Sequence, residues 1–424
     1  MNLTALVTLL LAFSVSLLAT PLVRGIAWRL RILDFPNPRK VHASPTPLLG
    51  GLGIYLGFAG SVLVSHGITS LPLEAHVLFL GGSLLLGIGV IDDAQGLPAG
   101  LKLAFQLLAC LLLIAGDITL TFMPNTWWGY LIEWLLTIVW VLGITNAMNF
   151  FDGMDGLATG LGAIGALFVS LLAFQTSQSA LTVLCLALLG SCLGFLPYNY
   201  RLRRPASIFL GDAGSTFIGF MLAGLMVLGG WGDKDPIRAF LIPVLILGVL
   251  IFDMVYITLS RVVSGKVSSF KEWIEYTGKD HLHHRLEALG LSKRQAVILI
   301  YSLSIALGLG ALVVMNQSTT DALLLLLQAA VLFNLISILM VTRGNRLYCP
   351  HTLSLCPTWV GTPKPADGEA SLPPLAWTEG MQQLWWEYGV FPTEGDLLPG
   401  EIVELDPADP EISPPATREE TGAL

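Results

Sequence analysis

The sequence predicts an all-α polytopic integral membrane protein of about eleven transmembrane helices, with the N-terminus outside and the C-terminus cytoplasmic. Three observations predict it. Of the 424 residues, 54% are hydrophobic and only 12% charged, with a mean hydropathy of +0.72, whereas soluble domains average roughly 25% charged. Apolar stretches near the roughly 20 residues that a helix needs to cross the hydrocarbon core recur along the chain. Lys and Arg gather in one alternating set of the loops between them, as they do on the cytoplasmic side of a membrane.

In chain order the stretches are residues 2–23, 48–66, 77–91, 103–122, 130–148, 156–175, 179–197, 214–230, 238–258, 296–315 and 321–341. The first has no positive region ahead of it, and its first cation, Arg24, follows the run, so it reads as a retained helix and not a cleaved signal. Loops after the first, third, seventh and ninth stretches carry five, one, three and seven basic residues, and the loop after the fifth carries none. The opposite loops hold only Lys234 and Arg238, so the odd-numbered loops are expected in the cytoplasm.

Composition changes at residue 341. Residues 1–341 are near neutral at +1, while residues 342–424 hold 4 basic and 13 acidic groups, a net of −9, so the acidity of the chain, −8 in all, belongs to that segment. With runs such as Pro407-Ala408-Asp409-Pro410, that segment reads as an acidic, Pro-rich, disordered cytoplasmic tail on a transmembrane domain 1–341. Cys110, Cys185 and Cys192 lie within apolar stretches and Cys349 and Cys356 in the tail, a distribution that fits neither a disulfide framework nor a paired zinc motif. Membrane lipid is the expected surroundings, and no nucleic-acid partner is expected.

A charge at the bilayer centre costs roughly 3 kcal/mol or more, so clustered polar residues in such a chain need a reason. Here they gather in loops predicted to share one side. The first loop runs Asp34-Phe35-Pro36-Asn37-Pro38-Arg39-Lys40-Val41-His42, then Pro45-Thr46-Pro47. Arg39, Lys40 and His42 suit an anion, or equally a positive-inside anchor. Asp92-Asp93 ends the third stretch and Lys102 opens the fourth. Adjacent carboxylates repel each other, which a divalent cation shared with a phosphate would relieve; a solvated helix end is the plainer alternative.

Between the fifth and sixth stretches, Asn146-Ala147-Met148-Asn149-Phe150-Phe151-Asp152-Gly153-Met154-Asp155-Gly156-Leu157 holds two amides and two acids with no basic partner in the loop. Asx turns and a helix cap at Asp155 would explain part of it. Arg201, Arg203 and Arg204 then precede Phe209-Leu210-Gly211-Asp212-Ala213-Gly214-Ser215. Asp212 is either a cap for the eighth helix or a metal ligand, and Phe209 either core or a ring for a base. Three of the chain's seven histidines lie in His281-Leu282-His283-His284, where imidazoles beside cations suit phosphate binding or proton transfer, with a transition-metal site as the competitor. Asp253, inside the ninth stretch, reads as a buried structural acid.

Hard carboxylate oxygens favour Mg²⁺, which binds through one or two carboxylates plus substrate phosphates. Metal, cations and a positioned nucleophile are what phosphoryl transfer requires. The expected reaction therefore joins a soluble phosphate compound to a partner that lives in lipid.

These blocks, in this order, resemble the polyprenyl-phosphate N-acetylhexosamine-1-phosphate transferases of glycosyltransferase family 4, over residues 1 to about 341. The resemblance implies helices around a cytoplasm-facing cleft in the bacterial plasma membrane and, in some members, a homodimer. His281-Leu282-His283-His284, where the branch using UDP-MurNAc-pentapeptide typically has three consecutive histidines, is more similar to the branch using UDP-GlcNAc and undecaprenyl phosphate. That branch starts cell-surface polysaccharide synthesis. The implied roles are Mg²⁺, with Mn²⁺ as a substitute, on Asp212 with Asp92 or Asp93, one of the pair acting on the lipid phosphate. Asn149, Asp152, Asp155 and Phe209 would hold the nucleotide; Lys102, His281, His283 and His284 the diphosphate or sugar; Arg39, Lys40 and His42 the lipid phosphate.

Two rivals fit less well. A CDP-alcohol phosphotransferase expects Asp-Gly-x-x-Ala-Arg, which neither Asp152-Gly153 nor Asp155-Gly156 opens. A transporter with a cytoplasmic cation site would place paired acids near mid-bilayer and show repeat symmetry between its halves.

Overall fold

The computed structural model describes residues 3–35, 44–66, 71–201, 204–231, 236–267, 269, 272, 278, 280–315 and 317–347. They belong to one compact unit, residues 1–351. Arg39, Lys40, His42 and residues 348–424 lie outside the described residues.

The helices are α1 (Leu3–Leu30), α2 (Gly50–His66), α3 (Leu73–Gln95), α4 (Ala99–Ala115), α5 (Trp127–Phe150), α6 (Leu157–Gln175), α7 (Ser179–Asn199), α8 (Gly211–Leu228), α9 (Pro236–Ile246), α10 (Gly248–Val263), α11 (Leu282–Ala288), α12 (Lys293–Val314) and α13 (Thr319–Leu347). Each apolar stretch of the sequence overlaps one of these, except that 238–258 divides into α9 and α10, and α4 ends at Ala115, seven residues short of the end of the stretch 103–122. Among the described residues eight helices are long and apolar enough to cross a membrane, and α9 with α10 passes only as a pair bent by 83°. Pro243, which has no N–H to donate, lies just before the break, and Leu247 at the break has non-helical ψ 13°. Helices α2 and α4 are shorter, at 17 residues each. The last helix runs past the expected boundary at 341 to Leu347.

Burial sorts the helices. The spanning part of α8 is 83% buried and those of α6 and α7 are 78% buried, against 11% for α13. Helix α8 is therefore the centre, with α3 and α5 packed on it, while α1 lies across α2 and α7. Glycine permits close approach of α3 to α8: a Cβ on Gly89 of α3 would fall 2.3 Å from the Cα of Ala213 in α8. That contact brings the end of α3 onto the start of α8.

A two-residue antiparallel ribbon, β1 (Leu33–Asp34) with β2 (Thr46–Pro47), interrupts the helical pattern. Past it the chain runs beside the loop before α8: the Phe209 N–H donates to the Pro47 carbonyl at 2.8 Å, and the Gly50 N–H donates to the Phe209 carbonyl at 3.0 Å. The backbone of Phe209 is thus held from both sides.

Candidate active site

The chain brings its acids together at the first turn of α8. Asp93 accepts from the backbone N–H of Asp212 at 2.8 Å and of Ala213 at 3.2 Å. The first N–H groups of a helix lack internal partners, so Asp93 caps α8 from another helix. Gly211 makes room for it: its φ is +76°, and a Cβ there would lie 2.5 Å from Asp93 Oδ2. Asp212 is inside α8, and the capping role that its position suggested belongs to Asp93.

Lys102 joins the other two carboxylates. Its Nζ lies 2.7 Å from Asp92 Oδ2 and 2.8 Å from Asp212 Oδ2. The second Asp212 oxygen accepts from Asn149 Nδ2 at 3.0 Å, and Asn149 also donates to Ser215 Oγ at 2.9 Å. Asp92 Oδ1 takes the Leu97 N–H at 2.6 Å, closing the turn between α3 and α4.

Beside this cluster lies a cavity of about 970 Å³. Asp92, Asp93, Asp152, Asp155, Phe209 and Asp212 line it, with Arg201, Arg204, Lys293, Arg294 and His284. Asp152 sits in a single 3₁₀ turn, Phe151–Gly153, at the end of α5. Asp155 does not cap α6; its Oδ2 accepts from the Ala206 N–H at 2.8 Å and ties that loop to the one bearing Phe209. Asn199 closes the same corner, accepting from the Gly156 N–H and the Thr159 hydroxyl, each at 3.0 Å.

The histidines are divided. His284 lines the cavity. His281 and His283 are buried, at 6% and 1% exposure. His283 packs on Phe151 with ring centroids 5.8 Å apart, and neither of its ring nitrogens has a partner among the described residues. Burial, with the neighbouring His284 and His281, holds its pKa well below the usual imidazole value, so the ring is neutral. Arg261 meets Asp280 through two contacts of 2.8 Å each. Burial would push the Asp280 carboxyl up, but the Arg261 pair outweighs it and holds the pKa below the usual carboxylate range.

Among the described residues no group of three His, Cys, Asp or Glu side chains is arranged to hold a metal ion. The donor set nevertheless suits a hard cation, because Asp92 and Asp212 already share one positive charge, that of Lys102. A divalent ion held by these two carboxylates and completed by substrate phosphates fits this arrangement. Both oxygens of Asp93 are engaged by backbone.

Residues 75–230 match the family model described as glycosyl transferase family 4. A probable undecaprenyl-phosphate N-acetylglucosaminyl 1-phosphate transferase of Bacillus subtilis (strain 168) is 34% identical over 322 residues, covering 74% of this chain and 87% of the relative. The chain belongs to glycosyl transferase family 4. A decaprenyl-phosphate N-acetylglucosaminephosphotransferase of Mycobacterium tuberculosis (strain ATCC 25618 / H37Rv) is 32% identical over 375 residues, covering 80% of this chain and 90% of the relative. An undecaprenyl-phosphate alpha-N-acetylglucosaminyl 1-phosphate transferase of Escherichia coli (strain K12) is 28% identical over 289 residues, covering 65% and 75%. The resemblance read from the sequence blocks is borne out as membership of this family of polyprenyl-phosphate N-acetylhexosamine-1-phosphate transferases.

The stretch matched by glycosyl transferase family 4 contains the whole cluster around Lys102 together with Asp152 and Asp155, while Asp34, which also lines the cavity, and the histidine segment lie outside it. Sequence reasoning did not select Lys293 and Arg294 as site residues; as two more cations in a basic loop they carried no signal beyond the positive-inside bias. Nor did it pair Asp253 with His281, which lie 28 residues apart.

Proposed function

We propose that this chain transfers N-acetylglucosamine 1-phosphate from UDP-N-acetylglucosamine to undecaprenyl phosphate, releasing UMP and leaving the lipid diphosphate sugar that starts cell-surface polysaccharide synthesis. One observation carries the reading: Lys102 draws Asp92 and Asp212 together at the edge of a cavity lined by Asp152, Asp155, Phe209 and four cations. The relatives' names support the sugar, since all three specify N-acetylglucosamine; they differ in the carrier, undecaprenyl or decaprenyl phosphate.

In this reaction an oxygen of the carrier phosphate attacks the phosphorus next to the sugar, and the bond from that phosphorus to the UMP oxygen breaks. The second pKa of a phosphate monoester is about 6, so the attacking group is largely ionised at neutral pH and needs no strong base. Asp92 and Asp212 would hold Mg²⁺, or Mn²⁺ in its place; when bound, the ion neutralises charge on the diphosphate. Asp93 keeps Asp212 in register through the first turn of α8. Asp152 and Asp155 would hold the uridine, with the Phe209 ring against the base and Asn149 orienting Asp212. Arg201, Arg204, Lys293, Arg294 and His284 offer positive charge or donors to phosphate and sugar, and Arg39, Lys40 and His42 the same to the carrier phosphate.

The loop charge bias supports eleven spans with this site facing the cytoplasm, where UDP-sugars are soluble. The test is UMP release by the purified protein in detergent with Mg²⁺, using undecaprenyl or decaprenyl phosphate. UDP-GlcNAc, UDP-GalNAc and UDP-MurNAc-pentapeptide serve as donors. Lipid-dependent release from UDP-GlcNAc alone is expected. Release from another donor would overturn the sugar assignment, and no release from any donor by folded protein would overturn the reaction.

A further inference from the structure

Asp253 lies in α10 at 1% exposure, where an unpaired carboxylate would be strongly unfavourable. Neither arginine nearby relieves it. Arg261 is engaged by Asp280, and Arg285 donates to the Asp280 carbonyl and the Tyr256 hydroxyl. The two partners of Asp253 come from one short segment instead. Oδ2 lies 2.8 Å from Nδ1 of His281, and Oδ1 accepts the Leu282 N–H at 2.7 Å. His281 is the cap residue of α11 yet makes no cap bond with its own side chain, so Asp253 performs that service from α10.

The His281 ring in turn lies 4.7 Å from the ring of Phe150 and 6.0 Å from that of His283. Phe150 directly precedes the turn that carries Asp152 into the cavity, and α11 carries His284 to the same cavity. One buried carboxylate therefore sets both sides of this wall.

We propose that Asp253 is a positioning residue for the transfer reaction, holding His281 with Nδ1–H donated to the carboxylate and the lone pair left on Nε2, and fixing the turn that presents His283 and His284. The inference rests on the reaction proposed above. A carboxylate that served only to cap α11 would be replaceable by an amide. An amide that keeps its oxygen on the Leu282 N–H turns its NH₂ toward His281 Nδ1, which then has to accept, and the ring proton moves to Nε2.

The test compares Asp253→Asn, His281→Ala and the double variant in the full chain. In Asp253→Asn, thermal stability and KM for UDP-GlcNAc are expected near those of the parent, with kcat reduced about 10- to 100-fold, the usual range for a residue that orients another. The double variant is expected to be no slower than His281→Ala, because both changes act through one ring. Nitrogen NMR of histidine-labelled protein, read without substrate, is expected to show the His281 proton on Nδ1 in the parent and on Nε2 in Asp253→Asn. An unchanged tautomer, an unchanged kcat or additive losses would overturn the positioning role. Absence of UMP release from the parent would count against the reaction alone, since the tautomer is read independently of turnover.

Discussion

The ammonium of Lys102, at the start of α4, lies 2.8 Å from the carboxylate of Asp212, on the first turn of α8 and 110 residues further along the chain. The same ammonium reaches Asp92 at 2.7 Å. A single cation thus holds two acids that would otherwise repel each other beside the cavity. Replacing Lys102 by Met is expected to lower kcat by about 100-fold or more, the scale for removing one preorganised electrostatic group from an active site. Its side chain is 31% exposed, so solvent screens the pair and the stability change is expected to stay below about 1 kcal/mol. Paired kinetics and thermal unfolding check this; a normal kcat in Lys102→Met would remove Lys102 from the chemistry.

Asp93 and Asp212 are expected to separate stability from turnover. Asp93→Ala removes the cap of α8 and should lower stability by about 1–2 kcal/mol. Asp212→Asn keeps an acceptor of the same shape and should leave thermal unfolding nearly unchanged while abolishing UMP release at saturating Mg²⁺. Near-normal activity of Asp212→Asn would exclude it as a metal ligand.

Gly211 tests the same contact from the backbone side. With φ at +76° and Asp93 Oδ2 only 2.5 Å from where a Cβ would sit, Gly211→Ala meets both a strained backbone and a displaced cap. The backbone term alone is about 1–2 kcal/mol. A lower unfolding temperature together with lost activity is expected; parent-like behaviour in both would mean that α8 begins differently.

The Arg261–Asp280 pair predicts a pH dependence of stability. Asp280 has a folded pKa below its ordinary value of 3.8, so the unfolded chain binds the proton more readily. The stabilisation is present in full above that ordinary value and is lost as pH falls through the lower folded one. The gap in unfolding temperature between the parent and Asp280→Asn should therefore be constant near neutrality and narrow below about pH 4. A gap that widens on acidification would contradict the pairing.

Much of this was legible in the sequence. Long apolar runs separated by charged loops are a local property, and all eleven runs overlap helices because a membrane leaves the backbone no other way to satisfy its N–H and C=O groups in a single segment. Asp92, Asp152, Asp155, Phe209, Asp212 and His284, selected as unusual residues at the ends of those runs, line one cavity. The division of α9 from α10 was not legible, because both halves are equally apolar and the bend depends on Pro243 and on packing around Leu247. The separation of His284 from the buried His281 and His283 was not legible either, since three imidazoles within four residues look alike until a helix points them in different directions.

By itself the sequence determined the solvent this protein lives in, the order and approximate places of its apolar helices, the residue types at its site and, through five ordered blocks, its family. Those are properties of neighbours along the chain. Only the tertiary structure decided that Asp93 caps α8, that Lys102 bridges Asp92 and Asp212, and that Asp253 holds His281. These contacts join groups 28 to 119 residues apart in all but the Lys102–Asp92 pair. They depend on how closely helices approach, as α3 does on α8 through Gly89, and local periodicity carries no information about that distance.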